Sequence, residues 1–583
     1  MANVTRSIAA LALATGVGLC APPVSAQGCN AAPSGGAGFQ NPPEVRPTAP
    51  GTRHTLTVRY TDPATTSLAG CNVKLRSYNG RLVGETIRAS PGDTLYLRIE
   101  NNLPQAHHGH PQDTITGEHA QHFSFNVTNL HTHGLHVAPQ GTPAAESDNV
   151  FVEIQPGGSQ DYEIRIPGSH PTGTFWYHAH FHGSTAVQIS SGMAGALIID
   201  GGPAPDRDLD KVPVIEANKG NEKIFVLQQF AHDANGELES FSLVDHNRPL
   251  GRPVMVNGQF MPTIRMRPGE VQRWRFIHAG VQENLKLSLG RSDGAGQPVK
   301  LHEIAADGLA LGRIVAWPGA NPADDEHNLV LGPGYRSDVL VRFDQPGTYV
   351  LRDLPFSNAR NSIQASLAAA LGGAAGQRPA STIAVVEVGG AAASAVLPTD
   401  GELSGRVPPE LAPIEDGEIN ADGQPRQALA FTMGWRICHP NGSCDPASCS
   451  PNSSGPNCRP RFMVNDMANI PGPVPTNDRV YTPGRQPRTL RLDKATEWVL
   501  TGTGVRHPFH IHVNPFQMER REPNAAGQLD RKRVWKDTVL LPIWGERIAL
   551  RSRQTVHTGR FVLHCHILSH EDQGMMEDVE IIP

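Results

Sequence analysis

The chain has 583 residues, which at about 150 residues per domain predicts three or four domains. Lys and Arg number 50 against 56 Asp and Glu, and the resulting net charge of -6 excludes a nucleic-acid partner, which would need clustered positive charge. The 59 Gly and 50 Pro favour short strands joined by turns over helical bundles, and 38% hydrophobic residues exclude disorder throughout the chain.

Residues 1–26 are predicted to be a removable signal peptide. Arg6 supplies the positive charge, residues 8–19 form an apolar run, and Val24-Ser25-Ala26 is a small-residue cleavage site. The apolar run is too short to cross a bilayer. We therefore expect a periplasmic or secreted protein without a transmembrane segment.

Short strands with alternating apolar residues are predicted along most of the chain. Examples are residues 93–100 (DTLYLRIE), 161–166 (DYEIRI) and 337–343 (SDVLVRF), each bounded by Gly or Pro turns. Helical periodicity is scarce. This pattern indicates an all-β protein made of sandwiches or barrels.

A threefold repeat organises these strands. Residues 173–180 read GTFWYHAH, residues 347–354 read GTYVLRDL and residues 559–566 read GRFVLHCH. We predict three β-sandwich domains, at residues 45–205, 212–390 and 403–583. The second copy has Arg352 and Leu354 where the other copies have histidines, so the fold does not require the histidine pair.

Cysteines are concentrated near the start of the third predicted domain. Cys438, Cys444, Cys449 and Cys458 lie in a Pro/Asn/Ser-rich segment that we predict to be a loop with two disulfides of undetermined connectivity. A zinc site is the alternative for these four residues. A further bridge between Cys29 and Cys71 is compatible with the sequence, whereas Cys565 is left over between two histidines.

Histidine pairs with one residue between them mark the first and third predicted domains. Residues i and i+2 of a strand point to the same face, so each pair presents two imidazoles to one volume. Eight imidazoles are therefore expected to converge between the two domains. Imidazole suits copper, zinc, iron and nickel, so these residues alone do not name the metal. The four pairs are His131/His133, His178/His180, His510/His512 and His564/His566.

Cys565 gives a more specific indication. If His564 and His566 face one way, Cys565 faces the other way, where it can hold a separate metal with other ligands. Two His, one Cys and a weak axial Met are the ligands of a blue-copper electron-transfer site. His507, His570 and Met575 are the candidates that complete this set.

These motifs resemble those of the multicopper oxidases, the laccase-like family of three cupredoxin domains, over nearly the whole chain after the signal peptide. The resemblance implies three consecutive cupredoxin-like Greek-key β-sandwich domains and four coppers per chain. It implies these ligands: His507, Cys565, His570 and Met575 for the type 1 copper; His131 and His510 for the type 2 copper; His133, His178 and His566 for one type 3 copper; His180, His512 and His564 for the other.

The resemblance also implies an activity. A reducing substrate gives up single electrons at the type 1 copper, and O2 is reduced to water at the trinuclear cluster, with Cys565 joining the two sites. Phenols and aryl amines are the expected substrates, and oxidation of Cu(I), Fe(II) or Mn(II) is the alternative. A non-catalytic copper-binding or scaffold protein is the remote alternative. The sequence does not indicate the oligomeric state.

Several residues remain as candidates for supporting roles. Because O2 reduction consumes protons, the resemblance implies that Glu571 and Asp148 donate or relay them. Asp537 either orients a ligand or fixes a turn, and we favour the turn. The histidines of residues 107–122 either bind an extra copper, guard the cluster or belong to a solvated polar loop, and we favour the loop. The edge that accepts electrons is expected to be that of His507 or His570.

Overall fold

The structure is a computed structural model that describes residues 35–68, 71–105, 125–142, 144–202, 204–231, 238, 252–356, 380–420, 426–438, 444–448, 458–467, 480–543 and 546–583. Within these residues strands dominate and helices are short, so the all-β prediction is confirmed. The predicted signal peptide and the histidine-rich residues 107–122 lie outside the described residues.

The first part of the described chain forms two main sheets that share one hydrophobic core. Leu56 and Leu97 of one sheet pack with Ile87 and Leu197 of the other in this core. In the order of hydrogen-bonded neighbours, one sheet contains Glu44–Val45, Thr86–Ala89, Ala194–Ile199, Gly173–His178 and His131–His133, and the other contains Arg76–Tyr78, His54–Tyr60, Thr94–Asn101 and Ser159–Arg165. A small ribbon joins Ser67–Leu68 to Cys71–Asn72.

The middle part forms a second pair of sheets around its own core. Phe276 and Val339 of one sheet pack with Leu287 and Leu351 of the other. One sheet contains Val254–Val256, Lys223–Gln229, Val271–His278, Arg336–Arg342, Leu301–Ala306 and Leu309–Trp317, and the other contains Thr263–Met266, Ser381–Val388, Gly347–Leu354, Leu285–Arg291 and Leu329–Leu331.

The last part forms the third pair of sheets, with Leu500 and Leu550 of one sheet packed against Phe561 and Val579 of the other. One sheet contains Cys444–Ser448, Gln427–Cys438, Lys494–Gly502, Ile548–Gln554, Phe516–Pro523 and Leu529–Lys536, with Cys458–Asp466 also paired to Gln427–Cys438. The other contains Arg488–Arg491, Met576–Ile582, Gly559–Cys565, Pro508–Ile511 and Thr538–Leu540.

The cysteine-rich segment is not the continuous loop that we predicted. Cys444–Ser448 is a strand, and its Cys444 lies opposite Cys438 of the neighbouring strand. Backbone pairing to a long strand overrides the low strand propensity of Pro and Ser in this segment. The predicted disulfides involve side chains outside the described part of the structure and stay a prediction.

The repeated segments occupy equivalent places in the three parts. Gly173–His178, Gly347–Leu354 and Gly559–Cys565 each lie between two antiparallel neighbours. The strand that follows each of them along the chain also pairs in parallel with an earlier strand. The same topology thus recurs three times. The domain boundaries at residues 45–205, 212–390 and 403–583 stay a prediction.

Two turns show why the sequence places Gly where it does. Gly92 and Gly269 have φ values of 93° and 73°, which residues with a side chain rarely adopt. In each turn the next residue closes a loop, because Asp93 accepts a hydrogen bond from Ser90 N and Glu270 accepts one from Arg267 N. Each turn leads directly into a strand.

Helices are few and short in the described residues. The α-helices are Thr185–Ser191, Pro213–Ala217, Asp400–Ser404, Asp416–Asn420 and Leu568–Asp572, and the 3-10 turns are Pro205–Arg207, Leu209–Lys211, Lys219–Asn221, Asp325–His327 and Pro409–Leu411. None of the described helices has the length and apolar composition needed to span a bilayer.

Candidate metal centre

His507, Cys565 and His570 form a compact buried group in the third part of the chain. Cys565 ends its strand and lies opposite Phe509, so His507, which directly precedes the neighbouring strand Pro508–Ile511, reaches the same place. The Cys565 Sγ atom lies 3.4 Å from His507 Nδ1 and 3.8 Å from His570 Nδ1, and the two Nδ1 atoms are 3.3 Å apart. Three soft or borderline donors therefore meet at one point, as the sequence predicts.

Hydrogen bonds around this group orient its donor atoms. The Nε2 atom of His507 lies 3.0 Å from the Thr503 carbonyl oxygen, which accepts its proton and leaves the Nδ1 lone pair facing Cys565. Ile567 N donates to Cys565 Sγ at 3.4 Å. Burial raises the pKa of the Cys565 thiol and lowers the pKa of His507 to about 4.

Met575 is fully buried beside this group and is tied to it through the backbone. Its carbonyl oxygen accepts a hydrogen bond from Cys565 N at 3.0 Å, and its own N donates to the His570 carbonyl at 2.9 Å. The backbone thus brings Met575 next to Cys565 and His570, with which it was predicted to form one metal site.

The eight paired histidines form a second group between the first and third parts. Strand register builds it, since His131 lies opposite His178 and His510 lies opposite His564. The Nε2 atoms of His180 and His564 are 3.1 Å apart and join the two parts directly. All eight side chains are buried, and their convergence agrees with the sequence prediction.

Subsets of these imidazoles offer ligand atoms close enough to share one ion. Their ligand atoms all lie within 4.8 Å of one another in each of three sets: His180, His512 and His564; His131, His133 and His178; and His131, His510 and His512. The first set is the one predicted for a type 3 copper. The ring of His566 lies 5.1 Å from that of His133 and 5.8 Å from that of His178.

The chemistry of this group fits a metal cation. Among the described residues, buried nitrogens of His131, His510, His512 and His566 have no hydrogen-bond partner. Burial, followed by the charge of neighbouring imidazoles, holds the pKa of His131 and His512 well below the ordinary value. Neutral imidazoles with free lone pairs bind copper well, and burying them without a partner is costly.

Comparison with known proteins agrees with this geometry. Family models described as "Multicopper oxidase" match residues 110–204 and 456–583. A laccase from Bacillus subtilis is 24% identical, covering 87% of this chain and 90% of its own length. A laccase from Cryphonectria parasitica is 23% identical, covering 85% and 76%. The chain belongs to the multicopper oxidase family.

A solved structure supports the shared fold. A multicopper oxidase from Campylobacter jejuni, described as a metallo-oxidase, has a TM-score of 0.64 at 19% identity and covers 94% of this chain and 96% of its own. Membership of the family makes the protein an oxidase and implies copper as its metal.

In this multicopper oxidase, Asp148 contacts His131 on the side of the ring that faces away from the other paired histidines. Both carboxylate oxygens lie 3.0 Å from His131 Nδ1, so Nε2 points into the histidine group. Oδ1 also accepts hydrogen bonds from the backbone N and the hydroxyl of Thr132. Burial raises the pKa of Asp148 to about 7 although the Thr132 hydrogen bonds lower it, so this carboxyl can hold a proton near neutral pH.

Glu571 contacts histidines from both parts of the oxidase. Its Oε2 lies 3.1 Å from His564 Nδ1, and its Oε1 lies 3.5 Å from His180 Nδ1 and accepts a hydrogen bond from the Thr185 hydroxyl. Burial favours the neutral acid, but His564 and His180 outweigh it and lower the pKa of Glu571. Glu571 is fully buried, which excludes a role as an ordinary surface acid.

Asp537 does not merely fix a turn, and our expectation for it is wrong. Its carboxylate lies 3.4 Å from His133 Nε2 and 3.6 Å from His510 Nδ1, and it forms a double ion pair with the buried Arg336 at 2.7 and 2.5 Å. Thr538 Oγ1, beside it, donates to Asp537 and lies 3.1 Å from His510 Nδ1. Asp537 therefore contacts histidines of both the first and the third part of the chain.

Arg336 comes from the part of the chain that carries none of the proposed ligands. There it also contacts Asp307, whose Oδ1 accepts a hydrogen bond from Arg336 N at 3.0 Å. Asp307 in turn pairs with Lys536 at 2.9 Å and accepts from Thr538 N at 3.2 Å. The sequence carries no spacing signal for this network, because its members are brought together only by the tertiary fold.

Both candidate electron-accepting histidines are buried, and which ring edge accepts electrons stays a prediction. His507 is 0% exposed, whereas His570 retains 8% exposure. The Thr503 carbonyl and the packing around Gly502 enclose His507. His570 stacks on Phe462 with ring centroids 4.1 Å apart.

Proposed function

We propose that this oxidase is of the laccase type, oxidising phenols and aryl amines by single electrons and reducing O2 to water. The observation that carries the proposal is the position of Cys565 between His564 and His566. Cys565 faces His507 and His570, and these three residues form the Cys/His group. Its neighbours His564 and His566 face the other paired histidines, which together form the histidine cluster, so three consecutive residues connect the two sites.

We propose four coppers, with the type 1 ion held by the Cys/His group and Met575. When bound, copper supplies one-electron oxidation of the reductant at this group and O2 reduction at the histidine cluster. The proposed ligands of the cluster are His131 and His510 for the type 2 copper, His133, His178 and His566 for one type 3 copper, and His180, His512 and His564 for the other.

The chain's own carboxylates support proton supply in this proposal. Asp148 lies beside His131, and burial raises the pKa of this carboxyl to about 7, which suits proton transfer near neutral pH. Glu571 contacts the His180 and His564 rings and holds them in place. We propose both as proton-relay residues, with Asp537 as an orienting residue.

The reductant is proposed to approach the His570 edge, which is the more exposed of the two ligand edges. Laccases among the relatives support a phenol or aryl amine. Oxidation of Cu(I), Fe(II) or Mn(II) is the alternative, supported by the structural neighbour described as a metallo-oxidase. With 11 Met in 583 residues, the chain offers few thioethers for Cu(I).

We infer a periplasmic or secreted location from the signal peptide predicted at residues 1–26. An oxidising compartment also suits the four clustered cysteines between residues 438 and 458. Detection of mature protein lacking residues 1–26 outside the cytoplasm tests this location, and full-length protein retained in the cytoplasm contradicts it.

The experiment is oxygen uptake by the copper-loaded protein with a phenol, an aryl amine, Cu(I), Fe(II) and Mn(II) compared side by side. We expect four coppers per chain, blue colour and the fastest uptake with the organic reductants. Faster uptake with a metal ion supports the alternative, and no uptake with any reductant supports a non-catalytic protein.

Cys565→Ser tests the connection between the two sites. The hydroxyl is a poor ligand for the type 1 ion, so blue colour and turnover should disappear together while the histidine cluster keeps its copper. Turnover that persists in this variant would contradict the proposed electron route.

A further inference from the structure

A cavity of about 280 Å³ lies between the second and third parts of the chain, outside the metal centre. Its walls come from Leu329–Leu331 and nearby residues on one side, and from Phe516–Pro523 and Thr538–Leu540 on the other. Ligand cavities usually measure about 300–1,000 Å³, so this one has room for a molecule of about one ring.

The charges around the cavity are almost completely paired. Each acidic side chain in its lining has a cation within 3.2 Å, so the acids leave no negative charge to attract a cationic ligand. The pairs are Glu303 with Arg520 at 2.9 Å, Glu326 with Arg521 at 2.5 Å, Asp325 with Lys286 at 2.8 Å, and Glu519 with Arg531 at 3.2 Å.

Arg506 is the exception among the lining cations. Within the described residues its guanidinium group has no ion-pair partner, and its buried Nε has no hydrogen-bond partner. By contrast, the lining Lys536 pairs with Asp307 at 2.9 Å. A partly buried guanidinium is stabilised by a planar anion, and a carboxylate matches its paired N–H donors in geometry and charge.

Most of the remaining lining is apolar. Leu331, Met518, Val539 and Leu540 present aliphatic surface to the cavity, together with the ring of Tyr335. Lys536 covers one face of that ring at 4.0 Å from its centre, so the aromatic wall is held in place. An apolar body gains free energy by covering this surface, at about 25 cal/mol per Å².

We propose that this cavity binds a small organic carboxylate with an apolar body of about one ring, held through its carboxylate by Arg506. The site adjoins the metal centre through the chain, since Arg506 directly precedes His507. The proposal does not depend on which reductant the oxidase uses, nor on the copper assignment.

Benzoate is the probe, tested by calorimetric titration and thermal unfolding of the full-length copper-loaded protein. We expect saturable binding and a rise in melting temperature, because a ligand that binds only the folded state stabilises it. Benzyl alcohol, which lacks the charge, and phosphate, which lacks the apolar body, should bind at least about 10-fold more weakly.

Arg506→Gln should weaken benzoate binding by about 10- to 100-fold, the usual effect of losing a charged hydrogen bond. Arg506→Lys should restore part of it. Arg265→Gln is the control, because it removes one positive charge at an exposed site, and neither Arg265 nor its partner Glu387 lines the cavity. It should leave binding unchanged.

Met518→Trp provides a second route to the answer if Arg506 variants do not fold. The larger side chain fills the apolar part of the cavity and should abolish binding. The proposal is overturned if benzoate does not bind the wild-type protein, if Arg506→Gln or Met518→Trp binds it equally well, or if phosphate binds as tightly. None of these outcomes depends on oxygen uptake, so they are distinct from failure of the proposed oxidase function.

Discussion

Cys565 is buried, yet its side chain must carry a negative charge to bind a metal. Burial raises the pKa of its thiol, but only the thiolate binds a metal. The Ile567 N–H donor stabilises the thiolate weakly, so the metal cation itself must supply most of the compensation. Copper binding should therefore release a proton from Cys565, and without copper this thiol should react slowly with alkylating reagents.

Met575 is predicted to set the potential of the type 1 copper. A thioether donates to the ion more strongly than an alkyl group, so Met575→Leu should raise the reduction potential by on the order of 60 mV, tenfold in a one-electron equilibrium. Redox titration of the blue absorption measures this shift. Met576→Leu is the control, because the next residue is also buried but packs in a different cluster, away from His507, Cys565 and His570.

An unchanged potential in Met575→Leu would contradict an axial role for this residue. A similar shift in Met576→Leu would indicate a general packing effect. If either variant loses its blue colour, its copper content shows whether the ion has been lost or only the potential has changed.

At the scale of elements, one short helix serves three purposes. Within Leu568–Asp572, His570 reaches the Cys/His group and Glu571 reaches the histidine cluster. Asp572 accepts hydrogen bonds from Gly183 N, Thr185 N and Ala186 N at the start of Thr185–Ser191. The helix thus fastens the third part of the chain to the first at the edge of the cluster.

Asp572→Ala should destabilise the protein by about 1–3 kcal/mol, because it leaves three buried backbone N–H groups without acceptors. Asp572→Asn keeps one oxygen and should fall between this variant and the wild type. The midpoint of urea unfolding measures the effect.

Asp416→Ala is the control for that experiment. Asp416 pairs with Arg551 at 2.5 Å but is 82% exposed, so its loss should cost under about 1 kcal/mol. An equal effect of both substitutions would show that the Asp572 contacts contribute nothing beyond a surface ion pair.

Local periodicity explains which parts of the centre could be predicted. The His-x-His pairs and Cys565 were placed correctly because alternation along a strand is a property of neighbouring residues. The role of Asp537 depends on the register of strand Thr538–Leu540 against strand Pro508–Ile511. This register pairs His510 with Thr538, which are 28 residues apart in the sequence. No local pattern encodes that register, and the burial of His507 likewise depends on distant packing.

At the scale of the molecule, the part without proposed copper ligands still shapes the centre. Arg336 and Asp307 bring it into contact with Asp537, and through Asp537 with His133 and His510. The repeat predicts that this part lost its histidine pair. The structure adds that this part supplies two charged residues, Arg336 and Asp307, that contact Asp537 beside the histidine cluster.

Arg336→Met should cost about 3–5 kcal/mol, because it leaves the buried Asp537 carboxylate without its cation. The loosened His510 should hold the type 2 ion less tightly, measured as copper per chain and as the type 2 signal in electron paramagnetic resonance. Arg342→Met is the control, since this residue of the same strand pairs only with the exposed Asp344 among the described ion pairs.

Adding Asp537→Asn to Arg336→Met should recover stability, because the unpaired charge is removed. It should not recover the type 2 signal fully, because the ring of His510 loses its charged neighbour. A type 2 signal unchanged in Arg336→Met would contradict the orienting role of this network.

The stacking of the histidines has a consequence for symmetry. His131, the first of its pair, stacks on His512, the second of its pair, and His133 stacks on His510 in the converse order, both at 3.8 Å. Exchanging the two pairs leaves this set of contacts unchanged, which is the property of an isologous interface between identical subunits. The cluster thus has the form of a two-fold homodimer interface built within one chain. A single domain carrying both halves of that surface would complete such a centre by associating with a second copy of itself.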